Sequence, residues 1–240
     1  RAFFDFILEV YRTFGFEEIR VVLSTRPEKR IGAEELWDAA ESALAEAMTE
    51  AGMAFKVSPG DGAFYGPKIE FQVLDALRRP WQLGTLQVDY FLPQRFGLKY
   101  TTAENSEAVP VMLHRAILGS LERFMGILIE HCAGAFPVWL APVQVAILPI
   151  TDRVMPYAEI LAARARELGV RIELDHRNEK VNAKIRDAQM QKIPYMLVCG
   201  DREAEAGTVS VRHRAKGDTG VQDVETFLAA LVEEIRERRR

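Results

Sequence analysis

The chain has 240 residues, 48% hydrophobic and 28% charged, with a formal net charge of −4. That supplies apolar material for one large or two smaller domains and excludes an overall basic signature for nucleic acid, while leaving room for a local basic face. Two cysteines, Cys132 and Cys199, are too few for a disulfide framework, and no apolar run reaches the roughly 18 residues of a spanning helix, so a cytoplasmic protein without membrane attachment is expected.

The opening "RAFFDFILEVYRTFGF" sets Phe3, Phe6, Ile7, Val10 and Phe14 at helical spacing, with Gly15 to end the helix. It lacks an initiating Met, and upstream sequence is expected. "EEIRVVLST" reads as a strand, "RPEKRIG" as a charged loop, and "AEELWDAAESALAEAMTEAG" as an alanine-rich helix stopped at Gly52. From Asp61 to Pro93 apolar and polar residues alternate between Gly and Pro punctuation, the pattern of antiparallel strands and hairpins. "AENSEAVP" is a polar loop. "PVMLHRAILGSLERFMG", residues 110–126, reads as one amphipathic helix running to about Glu130.

"AGAFPVWLAPVQ" has the stiffness of a linker. Beyond it "VQVAILPI", "VRIELDH", "PYMLVCG" and "TVSVRHR" are strands, and "MPYAEILAARARELG", "NEKVNAKIRDAQMQK" and the closing "VQDVETFLAALVEEIRERRR" are helices. Strands alternating with helices predict a small α/β domain on a mostly parallel sheet.

On a helix over 110–130, Ile117, Leu121, Phe124 and Leu128 would form a core stripe, and Ala116, Gly119, Ser120 and Arg123 a second face. That face reads either as close helix–sheet packing with Arg123 solvated, or as a flat floor for a planar ligand whose phosphates Arg123 meets bidentately. His114 would lie on the opposite side if the helix is already regular there, or in still extended chain at the helix start, and a single histidine is compatible with a structural role or a ligand role. Cys132, Cys199, His131, His176 and His213 have no zinc-like spacing. In "WQLGTLQVDY", Gln82 and Gln87 point to opposite faces of a strand unless a bulge at Gly84 re-aims one.

"STRPEKRIG", "GAFYGPKIEF", "WQLGTLQVDYFLP", "PVMLHRAILGSLERF", "FPVWLAPVQV", "RNEKVNAKIRDAQMQKIPYMLVCGDRE" and "VSVRHR", in that order, resemble the bacterial threonyl-tRNA synthetases along essentially the whole chain. The resemblance implies an α+β class II catalytic domain, partial and built on an antiparallel sheet, over residues 1–141. A small α/β anticodon-binding domain would follow over 142–240. It implies that Arg123, in motif 3, binds the ATP γ-phosphate, that Lys68 and Gln82 lie near ATP, and that Tyr65 and Gln87 line the threonine pocket. His114 would be one of three protein ligands to a catalytic Zn²⁺ that chelates threonine, and Mg²⁺ would accompany ATP. Asn178, Glu203 and Arg212 would read anticodon bases of tRNA(Thr).

The family's motifs 1 and 2, its other two zinc ligands and its α-phosphate arginine should lie upstream of Arg1. The expectation is therefore the C-terminal part of a homodimeric ligase, inactive as these 240 residues alone. The rival is a non-catalytic tRNA-binding fragment or paralogue using only the second domain. Such a protein should have lost Tyr65, Lys68, Gln87, His114 or Arg123, yet all five fit the pattern.

Overall fold

The computed structural model describes residues 2–239, and the chain divides after His131 into two units. Among the described residues no helix is long and apolar enough to cross a membrane.

The first unit begins with α1 (Ala2–Phe14), β1 (Ile19–Ser24), α2 (Glu34–Glu50) and β2 (Lys56–Ser58). The hairpin strands β3 (Lys68–Leu74) and β4 (Pro80–Asp89) follow, then the short α3 (Leu92–Arg95) and a two-stranded ribbon, β5 (Tyr100–Thr101) with β6 (Glu107–Ala108). β7 (Met112–Ala116) and α4 (Leu121–His131) close the unit. The main sheet runs β2-β1-β3-β4-β7, antiparallel at every pairing except β1 with β2. α1 covers one face through Phe3, Phe4, Ile7 and Tyr11, with Phe3 and Phe4 against Phe71 of β3. Phe6 stays half exposed, because Phe4 and Tyr11 take the core positions. Gly84 makes this packing possible, since a Cβ there would sit 2.3 Å from Ile7 Cδ1 and 2.7 Å from the Tyr11 hydroxyl.

The second unit contains β8 (Val145–Pro149), a single 3-10 turn (Asp152–Val154), α5 (Met155–Glu167), β9 (Ile172–Leu174) and α6 (Val181–Met190). It continues through β10 (Tyr195–Cys199), α7 (Asp201–Ala206), β11 (Thr208–His213), β12 (Gly217–Asp223) and α8 (Val224–Arg236). Its sheet, β12-β11-β10-β8-β9, is parallel where β8 meets β9 and β10 and antiparallel where β11 meets its neighbours. Alternation splits the buried side chains. Val145, Ile147, Leu197 and Val211 pack with α5 and α8 on one face, while Ala146, Leu148 and Met196 pack with Ala188 of α6 on the other.

The segment expected as a linker is strapped to this unit. Arg214 donates to the carbonyls of Ala135 and Phe136, and Arg171 to those of Trp139 and Ala141. Buried Gln144 closes the loop by donating to Val138 O and accepting from Arg171 N.

The helix expected over 110–130 is a strand, a turn and a shorter helix. β4 offers a free edge, and β7 pairs with it from Asp89↔Met112 to Thr85↔Ala116, so inter-strand pairing overrides the local 3.6-residue pattern. Gly119 lies in the turn with φ +66°, outside any helix, and a Cβ there would approach Leu83 O to 3.1 Å. The helix begins at Leu121, with the Ser120 hydroxyl accepting from Arg123 N. Leu121 is consequently 65% exposed and leaves the expected core stripe, whereas Phe124 and Leu128 remain buried. The closing helix starts at Val224, because residues 221–223 belong to β12. α7 and β12 carry no periodic signal long enough to register in the sequence.

Candidate functional site

Opposite α1, the first sheet presents a polar face. Pairing puts Lys68 beside Gln87, Gln87 beside His114, and Glu70 beside Thr85. The register then slips by one residue at Phe71/Gln72, so that Gly84 pairs with Phe71 and Gln82 with Gln72. That bulge returns Gln82 to the same face as Gln87, and the Gln82 amide donates to the Thr85 hydroxyl at 2.9 Å. Lys68, Gln82, Gln87 and His114, scattered over 47 positions of sequence, therefore share one surface.

The loop before β3 adds Tyr65. Gly66 brings the loop so close to β4 that a Cβ would fall 2.3 Å from Val88 O. From there the Tyr65 hydroxyl donates to Gln87 Oε1 at 3.0 Å, and its ring lies 5.5 Å from the His114 ring. His114 is anchored from behind, with Nε2 2.8 Å from Oδ2 of the fully buried Asp89. The other oxygen of Asp89 accepts from the amides of Phe91 and Leu92, which fixes the carboxylate. At the far side, Lys68 Nζ pairs with Glu70 Oε1 at 2.8 Å, and Glu70, itself buried, also accepts from Ser24 and Gln72.

Arg123 enters from the first turn of α4. Its Nη1 donates to Gln82 O at 3.0 Å, and its guanidinium lies 5.9 Å from the centre of the Trp81 ring. Six expected residues thus converge: Tyr65, Lys68, Gln82, Gln87 and His114 on the sheet face, and Arg123 at its end. Sequence reasoning missed Asp89, Glu70 and Trp81. The first two were recoverable, because period-two alternation places Asp89 on the face of Gln87 and Glu70 on that of Lys68.

The second unit holds the other three. Asn178 sits between β9 and α6, lining a cavity of about 220 Å³ with Thr151, Asp152, Arg177 and Lys184. Lys184 is buried and donates to Pro149 O and Asp175 O. Arg177 and the Arg177 amide hold the Asp175 carboxyl below its usual range, against the upward push of burial. Glu203 accepts from Gly200 N at 2.9 Å, so its carboxylate caps α7 beyond the C-terminal end of β10. Arg212 pairs with Met196 across β10–β11, which puts it on the α6 side of the sheet, where Nη1 meets Asp218 at 3.2 Å.

For a metal, the one imidazole among the described residues of this sheet face is that of His114. With Nε2 turned to Asp89, Nδ1 is the ring nitrogen that can ligate, the arrangement in which a carboxylate orients a histidine toward zinc. His114 fits as one ligand of such an ion. Among the described residues no group of three or more His, Cys, Asp or Glu stands where it could hold a metal. Chemically, the surface offers a phenol, two carboxamides and an oriented imidazole flanked by Lys68 and Arg123. That set suits a small polar molecule joined to a polyanion.

Comparisons with known proteins agree with this division. The family profile "tRNA synthetase class II core domain (G, H, P, S and T)" matches residues 2–132, and the "Anticodon binding domain" profile matches residues 144–238. The chain is 54% identical over 235 residues to a threonine–tRNA ligase of Halorhodospira halophila, covering 98% of this chain and 37% of that protein. It is 55% identical over 233 residues to one of Alkalilimnicola ehrlichii, covering 97% and 36%. The solved RNA-binding domain of threonyl-tRNA synthetase from Cryptosporidium parvum superposes with a TM-score of 0.91 at 38% identity, over 96% of this chain and 58% of that one. The chain thus spans little more than a third of the length of its curated relatives.

Proposed function

The chain belongs to the class II tRNA synthetase core family, and from that premise we propose that it forms the motif 3 and anticodon-binding part of a threonine–tRNA ligase. In this reading residues 1–141 serve catalysis and residues 142–240 bind tRNA(Thr), with 132–141 fastened to the second unit by Arg171 and Arg214. The observation that carries it is the layer Tyr65–Gln87–His114–Asp89, in which four polar groups converge on one spot of the sheet with Lys68 and Arg123 at its margins.

In this reading those positions serve a two-step reaction. The carboxylate of threonine attacks the α-phosphate of ATP, giving threonyl-adenylate and pyrophosphate; the 3′-terminal ribose hydroxyl of tRNA then attacks the acyl carbon of the adenylate, breaking the acyl–phosphate bond, taking the threonyl group and releasing AMP. Lys68 and Arg123 bind phosphate oxygens, and Arg123 stabilises the charge that builds on pyrophosphate. Gln82 lies beside the nucleotide, while Tyr65 and Gln87 orient threonine. His114 Nδ1 would hold Zn²⁺, which when bound supplies a Lewis acid for the amino and hydroxyl groups of threonine. A site built around a hydroxyl rejects valine, which lacks one. Mg²⁺ accompanies ATP, and the working form is a cytoplasmic homodimer.

Asn178, Glu203 and Arg212 read anticodon bases. Charging of tRNA(Thr) transcripts with threonine by the native, full-length protein tests the reading. Threonylation that fails when the anticodon is exchanged supports it. Tight tRNA binding without any charging would instead support the non-catalytic rival, against which the unbroken set of contacts on the sheet face weighs.

A further inference from the structure

We propose that Trp81 is a positioning residue for Arg123, fixed in its turn by Asp75; the inference rests on the ligase reading above. Trp81 stands near the start of β4, paired with Val73. Its indole Nε1 donates to Asp75 Oδ2 at 2.9 Å. Asp75 is buried and takes three further donors: Arg79 Nε at 2.6 Å, Leu77 N at 2.9 Å and Arg79 N at 2.8 Å. A carboxylate with four donors cannot swing, so the ring it holds cannot either.

That ring meets the Arg123 guanidinium at 5.9 Å, within the range of a cation–π contact. The next residue along the strand, Gln82, accepts from Arg123 Nη1 through its carbonyl. Neighbouring positions of one strand thus hold Arg123 twice, by the π face and by one N–H. Among the described residues this is the guanidinium's one hydrogen bond, which leaves its other N–H groups for phosphate oxygens. A free arginine surrenders much rotamer entropy when it grips phosphate; an arginine already leaning on Trp81 and Gln82 O surrenders less. Trp81 also lines, with Asp75, Arg79, Glu122 and Arg123, a cavity of about 280 Å³ that gives the guanidinium room to turn if the ring is removed.

The test measures pyrophosphate exchange and melting temperature in the native, full-length protein. Trp81→Leu should raise KM for ATP about tenfold, the size of a partly desolvated cation–π contact, and leave KM for threonine near wild type, while its melting temperature falls by the same amount as that of Trp81→Phe, because both leave buried Asp75 one donor short. Transfer of threonine from preformed adenylate to tRNA should be unchanged. Trp81→Phe, which keeps a ring face, should recover most of the loss. Trp81→His covers the case in which the leucine variant does not fold. Protonation of that ring, favoured by Asp75 and opposed by Arg79, would repel Arg123, so KM for ATP should climb relative to wild type as pH falls and the ring protonates. Equal rises in both KM values, leucine and phenylalanine variants alike in KM for ATP, or a histidine variant with the wild-type pH profile would each overturn the proposal. A wild-type protein with no threonine-dependent exchange would overturn the ligase reading, and this inference with it.

Discussion

His114 and Asp89 show how one contact sets the chemistry of a residue. An ionised Asp89 can only accept, so the imidazole places its proton on Nε2 and keeps the Nδ1 lone pair for a ligand. Asp89→Asn presents an amide N–H instead, which favours the other tautomer. Zinc affinity of the native, full-length protein, read by competition with a chromophoric chelator, should fall by about 10- to 100-fold, as for other outer-shell changes. Arg123→Ala should lower the rate of adenylate formation by about two to three orders of magnitude, the scale for losing a preorganised charge partner, while leaving tRNA binding nearly intact. Pre-steady-state formation of adenylate and a filter-binding isotherm separate the two. Unchanged adenylate formation would remove Arg123 from the site.

Among the elements, β4 carries the most. Its bulge at Leu83–Gly84 makes Gln82 and Gln87 neighbours on one face, and its first residues hold Arg123. The loop from β3 into β4 is pinned by Asp75, whose carboxyl is held at about 2: burial pushes it up, but the Trp81 indole, the Arg79 amide and the Arg79 guanidinium outweigh that push. The folded value lies below the unfolded one of about 3.9, so the stabilisation is complete above about pH 4 and is lost as pH falls toward 2. Urea midpoints of wild type and Asp75→Asn should therefore converge between pH 4 and pH 2; a constant gap would contradict this. Gly119→Ala should cost about 1–2 kcal/mol, since an alanine at φ +66° is strained and its Cβ crowds Leu83 O. Thermal melting checks it. Much of this was legible in advance. Period-two alternation announces β3 and β4, and only a bulge near Gly84 can unite the two glutamines on one face. The strand at 112–116 was not legible, because "VMLHRAILGSLERF" also satisfies helical spacing and only the open edge of β4 decides between them. The roles proposed for Tyr65, His114 and Arg123 rest on resemblance. The contacts of His114 with Asp89 and of Arg123 with Trp81 needed coordinates.

For the whole molecule, the proposed reading gives the two units separable tasks. Arg212→Ala should weaken tRNA(Thr) binding about tenfold or more, the usual cost of a base-reading arginine, and leave pyrophosphate exchange unaltered. With a net charge of −4, tRNA binding of the proposed kind would rely on local basic groups and should weaken steeply as salt rises. Cys199, buried in the core of the second unit with its thiol pushed up to about 12 by burial and by Glu203, should resist alkylation at pH 8 until that unit unfolds. The most direct measurement is ATP–pyrophosphate exchange by the native, full-length protein across the amino acids. Exchange with threonine and far less with valine, abolished by Arg123→Ala, is expected. Exchange driven by proline, histidine or glycine, or by none, would contradict the ligase reading.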